Sequence, residues 1–206
     1  MSSWNPDIFE KAWNFATRHH QGQTYGGIHE GERMPYINHI GSVATEIMWA
    51  LQFDATVDAD LAVQCAVLHD TIEDTLVTYE FLEEEFGSAV ADGVLALSKN
   101  PRLPTKDEQI RDSLRRIKQQ PKEVWMVKLA DRIANLSYPP HHWNNNKILS
   151  YRDEAIVIHS ELHTASSVLA QRLQKRIEIY PKYLQEEVMV TLMTSTSYGA
   201  QDLKRF

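Results

Sequence analysis

A nearly unbroken apolar run, Leu61-Ala62-Val63-Gln64-Cys65-Ala66-Val67-Leu68, leads directly into His69-Asp70-Thr71-Ile72-Glu73-Asp74. No other feature constrains the fold as strongly. A stretch of helix formers that is apolar almost all round belongs inside a core, so its polar end emerges among other buried elements rather than into solvent. The pattern predicts one helix over 58–73. Residues three and four apart share a helix face, so Glu73 is expected over His69 and Asp74 over Asp70. Carboxylates crowded at such a place are costly to bury without a cation or a shared proton. The sextet therefore reads as a metal site carrying its own acid/base pair.

Two other segments supply what that site lacks. Pro35-Tyr36-Ile37-Asn38-His39-Ile40 opens an apolar-periodic helix through Ile40, Val43, Ile47 and Leu51, with Asn38 expected as N-cap and His39 in the first turn. Val124-Trp125-Met126-Val127-Lys128-Leu129-Ala130-Asp131-Arg132-Ile133-Ala134-Asn135 forms a second buried-looking helix with Asn135 one turn beyond Asp131. Two imidazoles and two carboxylates make a mixed nitrogen and oxygen donor set that suits manganese, iron or zinc better than magnesium or calcium. Taken singly, a buried histidine or aspartate is usually a hydrogen-bonded core residue. It is the coincidence of ligand and acid/base types at helical spacing that points to chemistry.

The rest of the chain is almost wholly helical by pattern, with helices expected near 6–20, 38–53, 58–73, 78–85, 87–98, 105–119, 121–136 and 147–180. Asn5 or Ser3 should cap the first and Thr105 the sixth. Strand signals are sparse, and Thr24 to Met34, with Gly26-Gly27 and Gly31, reads as a flexible loop. A single unit over 1–180 is expected, followed by a tail, 181–206, that is loosely packed or self-contacting.

With these residues in place, the chain resembles the HD-domain phosphohydrolases, and within them the hydrolase domain of the RelA/SpoT homologues, over roughly residues 8 to 160. The matching stretches are Phe15-Ala16-Thr17-Arg18-His19-His20-Gln21-Gly22-Gln23, Pro35 to His39, Leu68 to Thr75, Phe86-Gly87 with Val94 to Lys99, and Lys128 to Leu136. The resemblance implies an all-α, HD-domain helical bundle with a metal site between central helices. It implies His39, His69, Asp70 and Asp131 as ligands of Mn2+ or another divalent transition metal. Glu73 and Asp74 match the pair credited with handling the attacking water, and Asn135 a residue near the metal and the ribose. Lys99 matches a lysine suited to phosphate contact, and Tyr151 an aromatic that lines the pocket or packs beside it. The implied reaction is 3′-pyrophosphate removal from ppGpp or pppGpp, leaving GDP or GTP. No synthetase-like region follows residue 180, so degradation alone is expected.

One departure bears on the substrate. Where the family places a basic pair after Gly22-Gln23, this chain has Thr24-Tyr25. Tyr25 offers a stacking surface and Arg33 a replacement cation, though both residue types are common on plain surfaces. An adenosine analogue of the alarmone or NADPH therefore stays open as substrate, as does a non-catalytic nucleotide-binding module.

The remaining features set bounds. With 43% hydrophobic content over 206 residues, the chain can bury a sizeable core. A formal net charge of −7 argues against general affinity for nucleic acid or anionic membrane, so a nucleotide must be met by a local cationic field. Lys128 and Arg132 flank Asp131 and are candidates for phosphate contact, or, four apart on one face, merely keep the helix soluble; Lys99 is the better candidate. The single cysteine, Cys65, reads as a small buried hydrophobe and fits a reducing, cytoplasmic setting. Neither a signal peptide nor a membrane-spanning run is visible. His20 is expected to be structural, His159 and His163 to pack or face solvent, and His141 and His142 to sit in a solvated loop. A homo-oligomer stays open.

Overall fold

The computed structural model describes residues 3–185. Its helices begin where the sequence supplies caps. The Asn5 side chain accepts from the Asp7 amide at the head of α1 (Pro6–His19), whose first residue is proline. Asp58 does the same for α3 (Ala59–Leu68), and Thr105 and Glu108 form a reciprocal capping box on α7 (Lys106–Ile117). Three helices make the centre: α3, α2 (Ile37–Ala50) and α8 (Lys122–Asn135) pack on one another. Around them, α1 covers α3, and α6 (Ser88–Leu97) sits between α3, α5 (Tyr79–Phe86) and α7. On the other side, α9 (Asn145–Leu162) and α10 (Ser167–Ile179) pack against α8. Ile40, Ile47, Leu68, Met126, Leu129 and Ile133 are wholly buried and join the central helices into one core. Among the described residues no helix is long and apolar enough to cross a membrane.

Gly93 shows how closely the framework is drawn. A Cβ there would lie 2.9 Å from both Cys65 Sγ and Val124 Cγ2, the sulfur on α3 and the methyl on α8. Gly93→Ala should gain helix propensity of about 1 kcal/mol but incur overpacking of about 1–3 kcal/mol. A net loss is expected in denaturant unfolding, and an unchanged midpoint would show that the three helices yield easily.

Four local expectations are corrected. The helix expected over 58–73 breaks at His69-Asp70, where Asp70 takes φ −102° and ψ 0° before a single turn, α4 (Thr71–Asp74). Thr71 Oγ1 donates to the Leu68 carbonyl at 2.7 Å, satisfying an acceptor that the break would orphan. Across the break the Asp74 amide still donates to the Asp70 carbonyl at 2.9 Å, and the Glu73 side chain pairs with Lys99. Asn38 is not the N-cap of α2: Tyr36 holds that position in helical conformation, without a side-chain cap. The helix expected over 147–180 is two helices, because the chain extends at Ser166, whose hydroxyl caps α10. Finally, Thr24 to Met34 is no loose loop. β1 (Thr24–Gly26) pairs antiparallel with β2 (Arg33–Pro35), Tyr25 opposite Met34. At the hairpin's tip, Gly31 holds a positive φ of 75°, and Gly27 lies where a Cβ would collide with the Glu32 side chain.

The start of the expected tail is anchored. Tyr180 is fully buried, Tyr183 donates to the Ser137 carbonyl at 2.7 Å, and Gln185 exchanges two hydrogen bonds with the Asn145 side chain. The remainder of that expectation, 186–206, lies outside the described residues.

Candidate active site

The helix break, α2 and α8 bring four side chains to one point. His39 Nε2 lies 3.3 Å from His69 Nε2, 3.6 Å from Asp70 Oδ2 and 3.4 Å from Asp131 Oδ1. His69 Nε2 lies 2.9 Å from Asp70 Oδ2 and 3.9 Å from Asp131 Oδ1. His39, His69 and Asp70 alone offer three ligand atoms within 4.8 Å of one another. His69 Nδ1 sits 2.8 Å from the Ala66 carbonyl, so its proton belongs there and Nε2 presents a lone pair to the cluster. Two imidazole nitrogens aimed at each other and at two carboxylates are a poor arrangement unless a cation joins them. The protonation energetics agree. Burial opposes charge on His39, yet its hydrogen bonds to Asp131 and Asp70 outweigh this and raise it to about 10. Asp70 is held well below the usual carboxylate range against its own burial by the neighbouring imidazoles, His69 foremost. The donors thus fit a divalent transition metal.

The surrounding residues orient these donors. Tyr36 donates its hydroxyl to Asp70 Oδ2 at 2.5 Å, stacks on His20 and leans on His39. Lys128 donates to Asp131 Oδ2 at 3.0 Å, and Asn135 donates to Oδ1 at 2.5 Å. Glu73 is held by Lys99, accepting from its amide at 2.8 Å and its ammonium at 2.7 Å. Asp74 stays open to the cavity. Partial desolvation first, and the charge of Asp70 second, raise its carboxyl above the ordinary value.

Two cavities meet here. The first, of 310 Å³, is walled by Tyr25, Tyr36, Tyr138, Pro140, Trp143 and Tyr151, with Ser42, Asn135 and Ser137 as neutral polar groups. The second, of 410 Å³, holds Asp70, Glu73, Asp74, Asp131 and Glu154 together with Lys99, Lys106, Lys128, Arg132 and Lys147. Tyr36, His39, Asn135 and Tyr151 line both. One face suits a planar ring and the other suits anions.

Residues 12–168 match the HD-domain family. The chain belongs to that family. It is 31% identical over 166 residues to the Danio rerio guanosine-3′,5′-bis(diphosphate) 3′-pyrophosphohydrolase MESH1, covering 79% of this chain and 88% of that one. The Xenopus tropicalis protein of the same name is 32% identical, with coverages of 84% and 94%. A solved structure described as a metazoan ortholog of SpoT superposes with a TM-score of 0.72 at 23% identity, over 86% of this chain and 97% of its own, and so shares the fold.

This HD domain gathers His39, His69, Asp70, Glu73, Asp74, Lys99, Asp131, Asn135 and Tyr151 around one cavity, while Tyr25 lines the aromatic one. Arg33 is not among them: it is exposed and donates to Thr24 Oγ1 on the opposite strand, at 2.7 Å from Nη2. Of the two readings open for Lys128 and Arg132, that of a solubilised surface does not hold. Both are buried, Arg132 pairing with Glu154 and lying 4.2 Å over the Tyr151 ring. Sequence reasoning missed Tyr36, Trp143, Tyr138, Lys106 and Lys147. Only Tyr36 had a usable signal, standing one turn before His39. Cys65 is buried as expected, His20 bonds Gln23 at 2.7 Å, and His159 stacks on His163.

Proposed function

We propose that this protein is a metal-dependent 3′-pyrophosphohydrolase that converts ppGpp and pppGpp to GDP and GTP plus pyrophosphate. The observation that carries this reading is the junction of an aromatic cavity and a cavity of mixed charge, its cations set among carboxylates, across the His39, His69, Asp70 and Asp131 cluster. The names of the MESH1 relatives support the same substrate class. Those four residues would hold the ion, Mn2+ being the first choice for two imidazoles and two carboxylates. When bound, the ion supplies Lewis acidity toward a phosphoryl oxygen and lowers the pKa of water.

This chain's own residues do the rest. The tyrosines and Trp143 stack the purine, and Asn135 and Tyr151 border the ribose between the cavities. Lys99 lies where it reaches a phosphoryl oxygen while keeping Glu73 fixed through its amide. Asp74, lining the cavity with a raised pKa, accepts the proton of the attacking water. The bond broken is that between the 3′ oxygen and phosphorus, and the 3′ oxygen leaves as a hydroxyl.

A second reading keeps the chemistry and changes the base. Among the described residues no carboxylate, lysine or arginine lines the aromatic cavity, where His39 is the ionisable imidazole, and Arg33 is turned onto Thr24 rather than toward a purine edge. This favours a stacked purine without selecting guanine, so ppApp and NADPH belong in the test. Products are to be analysed after incubating manganese-loaded protein with ppGpp, pppGpp, ppApp and NADPH side by side. Pyrophosphate with GDP or GTP is expected. Turnover of ppApp or NADPH alone would transfer the activity to the second reading, and no turnover with any metal would remove both.

A further inference from the structure

His20 and Gln23 line neither cavity, yet their hydrogen bonds lead into the site. Gln23 stands between α1 and β1, and each of its four polar groups is engaged. Its amide donates to the His20 carbonyl at 3.0 Å, and its carbonyl accepts from the Tyr36 amide at 2.9 Å. Its side chain donates from Nε2 to the Asp74 carbonyl at 2.6 Å, while Oε1 lies 2.7 Å from His20 Nδ1. A carbonyl only accepts, so the bond to Asp74 fixes which end of the Gln23 amide is nitrogen, and the proton shared with the imidazole belongs to Nδ1. His20 Nε2 is buried and has no partner among the described residues. The ring therefore has one polar task, aiming Gln23, and one packing task, stacking on Tyr36 with 5.1 Å between ring centres.

The segment that Gln23 holds cannot hold itself. α4 is a single turn after the break at Asp70, and the chain becomes extended again at Thr75. One turn is far too short to be stable by its own hydrogen bonds. Lys99 fastens it at Glu73. Its last carbonyl, that of Asp74, has no helical partner to accept from, and Gln23 supplies the donor. On its other side Gln23 fixes the backbone of Tyr36, whose hydroxyl reaches Asp70. One residue thus bridges the turn that carries the proposed base and the tyrosine that orients a ligand.

We propose that Gln23, aimed by His20, is a positioning residue that ties the Asp74 carbonyl to Tyr36 and so fixes the Asp74 carboxylate against the ligand cluster. Its effect on rate rests on the proposed hydrolase reading, whereas the tie itself does not. Neither His20 nor Gln23 meets the substrate, so both act through Asp74 and Tyr36. Displacing a reacting group by about 1 Å can cost about a hundred-fold in rate, so a loosened α4 is felt in turnover long before the core is disturbed.

Two measurements test this with Gln23→Met, which keeps length and volume and removes the amide. The first is hydrogen exchange of the metal-free full chain, which needs no turnover. Exchange across residues 71–75 should quicken by about ten-fold or more while α10 is unchanged. His20→Leu should behave likewise, and His20→Asn, whose amide nitrogen stands in for Nδ1, should stay close to wild type. Unchanged exchange at 71–75 in Gln23→Met, or an equal rise in α10, overturns the tie whether or not the protein hydrolyses alarmones. The second is turnover of ppGpp. In Gln23→Met, kcat should fall by about ten-fold or more with KM nearly unmoved. The same substitution should cost far less in an Asp74→Asn background, because the group it positions is already gone. A loss by the same factor in both backgrounds, or one confined to KM, overturns the positioning role. If wild type does not cleave ppGpp, the hydrolase reading and the effect on rate fall together, and exchange alone decides the tie.

Discussion

Asp131→Ala is expected to abolish metal-dependent turnover, by roughly a thousand-fold or more, because the Lewis acid contributes several kcal/mol to phosphoryl chemistry. The carboxylate has two tasks. Its Oδ1 faces both imidazoles, at 3.4 and 3.9 Å, and its Oδ2 neutralises Lys128, which is only 9% exposed. Deleting it removes an anionic donor and leaves a buried ammonium beside the cluster, so the site loses attraction for a cation and gains repulsion. Breaking a buried pair costs about 3–5 kcal/mol, so the variant should also melt earlier while keeping its helical circular dichroism. Asp131→Asn separates the two effects, since its amide preserves shape without the charge. It should recover part of the stability and little of the activity. Retained turnover with tight metal binding in either variant, followed by calorimetry, would sink the ligand assignment.

The legible part of the molecule is the part whose pattern is local. The apolar faces of α2, α3 and α8 follow from Ile40, Val43 and Ile47, from Ala62 to Leu68, and from Val124 to Ile133, and all are buried. Asn5 and Thr105 cap as a polar side chain before an apolar-periodic run should. What misled was also physical. A uniformly helical pattern carries no mark for the break at Asp70, which depends on Thr71 reaching the Leu68 carbonyl. Lys128 and Arg132 look like a solvated pair because spacing reveals their shared face but not that Asp131 and Tyr151 lie over it. The hairpin hid in a glycine-rich stretch because three-residue strands are too short to show alternation. The aromatic cavity was illegible for another reason. Tyr25, Tyr36, Tyr138, Trp143 and Tyr151 come from four separate segments, and only tertiary packing makes them neighbours.

That packing also divides two acids that the sequence leaves equivalent. Glu73 has each oxygen occupied, Oε2 by the Lys99 amide and Oε1 by the Lys99 ammonium, so it orders the Lys99 segment. Asp74 lines the cavity with a carboxyl raised by partial desolvation and by Asp70, against a hydrogen bond from Tyr36 that lowers it, the position of a proton acceptor. Both Glu73→Gln and Asp74→Asn should spare metal binding and slow turnover by roughly a hundred-fold or more, but for different reasons. A glutamine at 73 turns an amide donor or a weaker acceptor toward the Lys99 ammonium and releases it, so the loss should extend to KM. An asparagine at 74 removes the base, so the loss should fall on kcat. The pH profile discriminates further. A base works deprotonated, so wild-type kcat should fall as pH drops through the raised pKa of Asp74. Glu73→Gln should keep that acid limb, and Asp74→Asn should lose it, leaving a slow and flatter rate. The reverse pattern, with the limb lost only when Glu73 is changed, would give the proton to Glu73 and make Asp74 the residue that positions it.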